Sequence, residues 1–152
     1  MGFEYLFVSV EGRINRSKFW IGTIVLTAIN VAAVLLALAL FGISDLTVKL
    51  TILVALVLFY PTYALMAKRF QDRDKPGWLA LFPLAAIYGT NMLETAGLIR
   101  SEPQNATYVL LSLLVLGLTL WALIELGILK GTQGPNRYGP DPLGAARADA
   151  AL

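Results

Sequence analysis

Apolar residues run almost unbroken through four stretches of the chain, and polar residues gather between them. Phe19 to Phe41 holds no charged residue, nor does Leu50 to Met66, which can extend back to Leu46. Trp78 to Ile99 contains only Glu94, and Tyr108 to Leu129 only Glu125. Each stretch is close to the roughly 20 apolar residues that carry a helix across a bilayer. An open sheet leaves backbone groups unsatisfied in lipid, and four segments are too few for a closed barrel. The pattern therefore predicts an all-α membrane protein with four transmembrane helices, at 19–41, 50–66, 78–99 and 108–129, within one domain covering 1–142.

The segments between the spans have their own signals. Phe3 to Val10 (FEYLFVSV) is too short to span and too apolar to float, which predicts an N-terminal segment lying in the membrane interface. Asn15 or Ser17 suits the N-cap of the first span. Pro76 suits the first turn of the third, with Asp74 or Lys75 ahead of it. Pro61, flanked by Tyr60 and Tyr63, predicts a kink in the second span, whereas Pro83 falls in the first turns of the third, where a missing N–H costs less. Beyond the last span, Gly131 can close the helix. Pro135-Asn136 and Gly139-Pro140 enforce turns in KGTQGPNRYGPDP, so residues 130–142 are expected to lie against another part of the fold. Residues 143–152 lack any anchoring feature and are expected to be disordered.

Composition agrees with a membrane environment: 57% of residues are hydrophobic and 14% charged, against about 25% charged in soluble domains. Ten of the twelve basic residues fall in the N-terminal arm, the 68–78 loop and the C-terminal tail, leaving Lys49 and Arg100 for the other two loops. Because cytoplasmic loops collect Lys and Arg, both termini and the 68–78 loop are expected on the cytoplasmic side. Ala37-Leu38-Ala39 fits a signal-peptidase pattern, but the 23-residue apolar run exceeds a signal h-region of about 7–15, so the first span is expected to be a retained anchor. The chain has no cysteine and no histidine. Disulfides, thiolate nucleophiles, Cys/His zinc sites and His-based triads are thereby excluded, and no metal or cofactor is expected.

Two sets of polar positions remain as candidates. In the third span Tyr88, Asn91, Glu94 and Thr95 recur at spacings of three and four, which places them on one helix face. They suit a polar cavity or ion path, or else Tyr88 and Asn91 join helices while Glu94 reaches interfacial water. Glu125 lies one turn inside the end of the fourth span, where it is expected to meet Arg69 or Lys68. Phe19, Trp20, Trp78 and Trp121 fall near the expected interfaces, where aromatic rings anchor a helix.

The second set is the charged segments. Six of the eight residues from Lys68 to Lys75 are charged. Three blocks, GRINRSKFW (12–20), RFQDRDKPGW (69–78) and KGTQGPNRYGPDP (130–142), give the chain a resemblance to a bacterial inner-membrane family, domain of unknown function 805. In that family's pattern Gly12, Arg13, Arg16, Phe19 and Trp20 match the first block. Arg69, Asp72, Gly77 and Trp78 match the second, and Asn136, Arg137, Tyr138, Gly139, Pro140, Asp141 and Pro142 the third. Gln71, Asp74, Pro76 and Leu79 depart from it, standing at a usual histidine, glycine, serine and tryptophan. The resemblance implies a small multi-pass protein of the inner membrane and supplies no activity. All three blocks fall on the expected cytoplasmic side, so they are expected to assemble one face. Asp72 would be its acidic centre, Arg137 the first-choice partner, Arg13 or Arg16 next, and Tyr138 and Trp78 packed around them.

These readings point to a non-enzymatic accessory or interaction module. Its cytoplasmic face would bind another membrane protein, a second copy or anionic lipid headgroups. The alternative is a small oligomeric channel, transporter or ligand-binding bundle built on the polar face of the third span. The three candidate carboxylates Asp72, Glu94 and Glu125 lie towards opposite ends and form no nucleophile–base pair. A net charge of +2 gives no footprint for nucleic acid.

Overall fold

The computed structural model describes residues 2–99, 102 and 105–144. Its elements are α1 (Phe3–Phe7), α2 (Arg16–Phe41), α3 (Asp45–Asp72), a 3-10 turn (Gly77–Ala80), α4 (Leu81–Thr95) and α5 (Ala106–Ala122), which passes into a π-helical turn (Leu123–Ile128). Among the described residues there is no strand, only an isolated bridge between Asn136 and Gly139. Leu143 and Gly144 are held by turn hydrogen bonds to Asp141. The rest of the tail expected to be disordered, from 145 on, lies outside the described residues, as does Arg100.

The helix ends follow from their cap residues. Asn15 Oδ1 accepts the Lys18 N–H at 2.9 Å and opens α2, which stops where Gly42 turns to φ +60°. Ser44 Oγ accepts the Thr47 N–H at 3.3 Å and opens α3. Asn105 Oδ1 accepts the N–H groups of Thr107 and Tyr108 and opens α5. These side chains replace partners that the first turn of a helix lacks.

Three of the helices, Arg16–Phe41, Asp45–Asp72 and Ala106–Ile128, are long and apolar enough to cross a membrane. The stretch predicted as a third span, 78–99, is shorter in the fold. It opens as the 3-10 turn, and α4 closes at Thr95 because Gly97 takes φ +71°, with Gly97 N–H on the Glu94 carbonyl and Leu98 N–H on that of Leu93. This is a Schellman closure, and it ends the helix four residues before the apolar run does. The second span differs in the other direction. Residues 68–72, predicted as part of a loop, are the last turn of α3, so the connection to the 3-10 turn is only residues 73–76. Apolarity marks where lipid lies, and helical hydrogen bonding continues past it when the charged side chains find partners. Pro61 lies inside α3, which runs on past it.

α2 packs chiefly on α3 and α4 on α5, giving two hairpins that meet mainly where the 3-10 and π-helical turns reach α2 and α3. Gly22 admits this approach: a Cβ there would overlap the Leu65 side chain. The buried core, with Ile14, Phe19, Leu65, Phe70, Ala80 and Leu126, is concentrated at that same end. Elsewhere the helices leave large apolar side chains exposed, such as Ile24, Leu35, Leu56 and Leu110.

Candidate functional site

At the end where the hairpins meet, cationic side chains are turned onto backbone carbonyls. Lys68, fully buried, donates to the carbonyls of Tyr5, Leu6 and Ser9, and Gln71 Nε2 donates to that of Val10 at 3.0 Å. Tyr60 Oη donates to the Val8 carbonyl at 2.8 Å. Together these clamp α1 and its exit against α3. α1 is one short helix of the fold.

The π-helical turn is held in the same way. A widened helix end leaves its carbonyls without intrahelical partners. Arg69 Nε donates to the Leu126 carbonyl at 2.7 Å, Trp20 Nε1 to Gly127 at 3.2 Å, and Arg16 Nη1 to Ile128 at 3.0 Å. Arg69 Nη2 reaches Leu129, and Arg73 Nη1 reaches Lys130 at 3.1 Å. Five consecutive carbonyls are thus capped by side chains from α2, its first turn and the end of α3. Gly127 makes room for the Trp20 ring, which a Cβ would overlap.

Asp72 stands at the centre of this arrangement, 3% exposed. Its Oδ1 accepts from Arg13 Nε at 3.1 Å and its Oδ2 from Arg69 Nη1. Arg13 spends its other N–H groups on the carbonyls of Thr132, Gly134 and Gly139, at 2.7 to 3.1 Å, and on the Thr132 hydroxyl. Thr132 returns its N–H and hydroxyl to the Asp72 carbonyl, and Asn136 Nδ2 donates to the Gln71 carbonyl at 2.9 Å. Asp141 Oδ2 accepts the Gly134 N–H at 3.1 Å. Residues from all three blocks therefore meet here, and the tail is laid against the end of α3.

Several expected pairings are different. Arg137 does not reach Asp72; it pairs with Asp74 Oδ1 at 3.1 Å, half exposed, and lies over the Tyr138 ring. Arg16 caps the π-helical turn and makes no pair with Asp72. Glu125 pairs with Arg73 Nε at 2.6 Å and with Lys75, since Arg69 and Lys68 are already engaged. Trp78 packs its ring on Phe82 and stays half exposed, away from Asp72. Sequence reasoning gave Gln71, Arg73, Lys75 and Thr132 no partner, and it matched Lys68 with Glu125 and not with carbonyls. The spacing of Lys68 and Arg69 before Asp72, four and three residues on one helix, was the available signal. Among these buried groups Gln71 Oε1 lacks a hydrogen-bond partner.

Away from this end the hairpins leave a cavity of about 650 Å³ between all four long helices. Apolar side chains such as Leu26, Leu65, Leu84 and Leu126 line its closed end, and Asn30, Tyr88 and Asn91 lie farther along. Asn30 escaped the sequence reading because it is a single amide in a long apolar run. Asn91 Nδ2 donates to the Ile87 carbonyl at 2.7 Å, which leaves its Oδ1 open. Among the described residues, no partner reaches the Asn30 amide or the Tyr88 hydroxyl. A separate recess of about 350 Å³ between α4 and α5 shares Ile87, Asn91 and Thr119 with the first and is lined also by Glu94 and Ser112. Among the described residues no group of three or more His, Cys, Asp or Glu could hold a metal ion.

The comparisons with known proteins agree with the three blocks. A family model described as a protein of unknown function (DUF805) matches residues 7–140. The uncharacterized protein YiiR of Escherichia coli K12 is 30% identical over 140 residues, covering 91% of this chain and 88% of its own. The protein of that name from Escherichia coli O157:H7 matches to the same extent. No solved structure matches. With the converging arm and helix end inside the matched region, and the tail inside it as far as Pro140, the chain belongs to the DUF805 family.

Proposed function

We propose that this chain is a non-enzymatic integral membrane protein that binds a ligand in the cavity between its two hairpins. In this reading it has four spans and lies in a bacterial inner membrane with both termini cytoplasmic. The single observation behind it is a contrast. At the charged end every cation named above is used on a carbonyl or carboxylate of the chain itself, while the cavity holds polar groups with nothing to bond. The charged end is the clamp, and the cavity is where binding capacity remains. Gly77–Thr95 supports the fourth span: α4 is about 22 Å long at 1.5 Å per residue, and the 3-10 turn adds about 8 Å, close to the roughly 30 Å of a bilayer core.

A second reading, an accessory subunit acting through the charged end, draws on what that end still presents. Arg16, Lys130 and Arg137 are exposed beside the half-exposed Trp78. Basic groups there attract anionic headgroups by about 1 kcal/mol each, and the indole suits a membrane or protein contact. Purification in native nanodiscs followed by mass spectrometry decides between the two. A small molecule retained in stoichiometric amount supports the cavity reading, and a stoichiometric protein partner supports the second.

A further inference from the structure

We infer that the ligand of this cavity is an uncharged single-chain amphiphile. Its hydroxyl or carbonyl head would meet Asn30, Tyr88 and Asn91, with its chain running toward Leu26, Leu84 and Leu126. This inference rests on the ligand-binding reading above and names the class of ligand. Three observations carry it.

The first is size. A volume of about 650 Å³ holds about 20 groups of methylene or water size, taken at about 30 Å³ each. That suits one acyl chain with a small head. A spanning helix about 10 Å across and about 30 Å long occupies about 2,400 Å³, so the cavity does not accept one whole.

The second is charge. Among the described residues no Lys, Arg, Asp or Glu lines this cavity. An ionic head at this depth would have no counter-charge, and desolvating it costs more than an amide or phenol returns. Glu94 lies in the side recess between α4 and α5, beyond Asn91.

The third is the polar lining. An amide donates and accepts, and a phenol does both, so the set fits hydroxyl, ester or ketone oxygens. The threonines nearby are less available. Thr23, Thr51, Thr62 and Thr95 each turn their hydroxyl back onto a carbonyl of their own helix, at 2.7 to 2.9 Å. Among the described residues Asn30 and Tyr88 have no such bond. Among the described residues Thr27 and Thr119 also line the cavity without such a bond, so the polar groups with capacity to spare are few against a mostly apolar lining, as in sites that orient a mostly apolar ligand.

Trp20, partly exposed, lines the cavity at the end where the hairpins meet and supplies the readout. The full-length chain carrying Trp78→Phe and Trp121→Phe, so that Trp20 is the sole emitter, is placed in nanodiscs. It is titrated with a monoacylglycerol brominated at mid-chain, a chain carrying only Trp78 serving as the lipid-facing control. The expected result is quenching of Trp20 that saturates at low mole fraction, is reversed by unbrominated monoacylglycerol, and is not reversed by an ionised fatty acid. Asn30→Leu with Asn91→Leu should weaken it at least tenfold. Asn30→Gln with Asn91→Gln should restore part of the binding at the same melting temperature, separating ligand contact from folding. Glu94→Gln should leave it unchanged. Equal competition by the fatty acid, or loss of binding in Glu94→Gln, would overturn the uncharged class while leaving a ligand cavity. Quenching that rises linearly and matches the Trp78 control would overturn both, the cavity then being filled by bulk lipid.

Discussion

Arg13 Nε donates to Asp72 Oδ1 at 3.1 Å across 59 residues of sequence, with both side chains almost wholly buried. The pair joins the N-terminal arm to the end of α3, and through the other N–H groups of Arg13 it draws in the tail. It is the contact on which the charged end converges.

Losing one buried partner leaves the other charge without compensation, which costs about 3–5 kcal/mol. Asp72→Asn should destabilise by about 3 kcal/mol in detergent, Arg13→Gln by less because Arg69 still pairs with Asp72, and the double variant by clearly less than their sum. Arg137→Gln should cost less than about 1 kcal/mol, because its pair with Asp74 is solvated. Reversible unfolding of the three single variants and the Arg13/Asp72 double variant measures this. Strict additivity for the double would remove the coupling.

Gly131 touches the same carboxylate from the tail, and a Cβ there would overlap Asp72. Gly131→Ala should destabilise by about 1–3 kcal/mol, as an overpacked site does. A neighbouring change, Gly134→Ala, meets no atom but sits at φ +73°, so its cost should be the smaller one of backbone strain. Thermal shifts of the two variants compare space with strain directly.

Asp74 holds φ +58° in the Schellman closure of α3, with its N–H on the Gln71 carbonyl and the Lys75 N–H on that of Phe70. Glycine adopts this conformation without steric cost, and an aspartate does so less readily. Asp74→Gly should stabilise by up to about 1 kcal/mol despite the loss of the exposed pair with Arg137, and Asp74→Val should destabilise by more than that. Melting temperatures of the two variants should move in opposite directions.

The four-span topology is tested with cysteines, since the native chain has none. Ile43→Cys and Leu98→Cys, at highly exposed positions beyond the ends of α2 and α4, should react with an impermeant thiol reagent added to intact cells. Gln133→Cys in the tail should react only after lysis. Labelling of Gln133→Cys from outside would reverse the orientation, and protection of Leu98→Cys alone would remove the fourth span.

Much of the fold was legible along the chain. Asn15 was named as a helix cap and caps α2. The apolar runs located the long helices, and the glycines and prolines of the tail announced a bound segment. The misses have physical causes. α4 stops at Thr95 because Gly97 can turn left-handed, and hydropathy does not register that. Residues 68–72 stayed helical because Lys68, Arg69 and Asp72 found buried partners, whereas charge density alone reads as a solvated loop.

The partners themselves were the least legible part. Sequence reasoning paired charge with charge, giving Asp72 first to Arg137 and then to Arg13 or Arg16, and Glu125 to Arg69 or Lys68; of these only the Arg13–Asp72 pair forms among the described residues. In the fold most of the cations go to carbonyl oxygens, which carry no signature in the sequence because every residue has one. Which carbonyls stand free depends on where a helix ends or widens, as at the π-helical turn. By itself the sequence determined the apolar segments, the helical class and the convergence of three polar blocks, since these follow from each residue's affinity for lipid or water. Tertiary structure decided which carbonyls and carboxylates met which cations, and that a cavity lined by amide groups lay between the hairpins. Those outcomes depend on distances between helices, set only once the chain has packed.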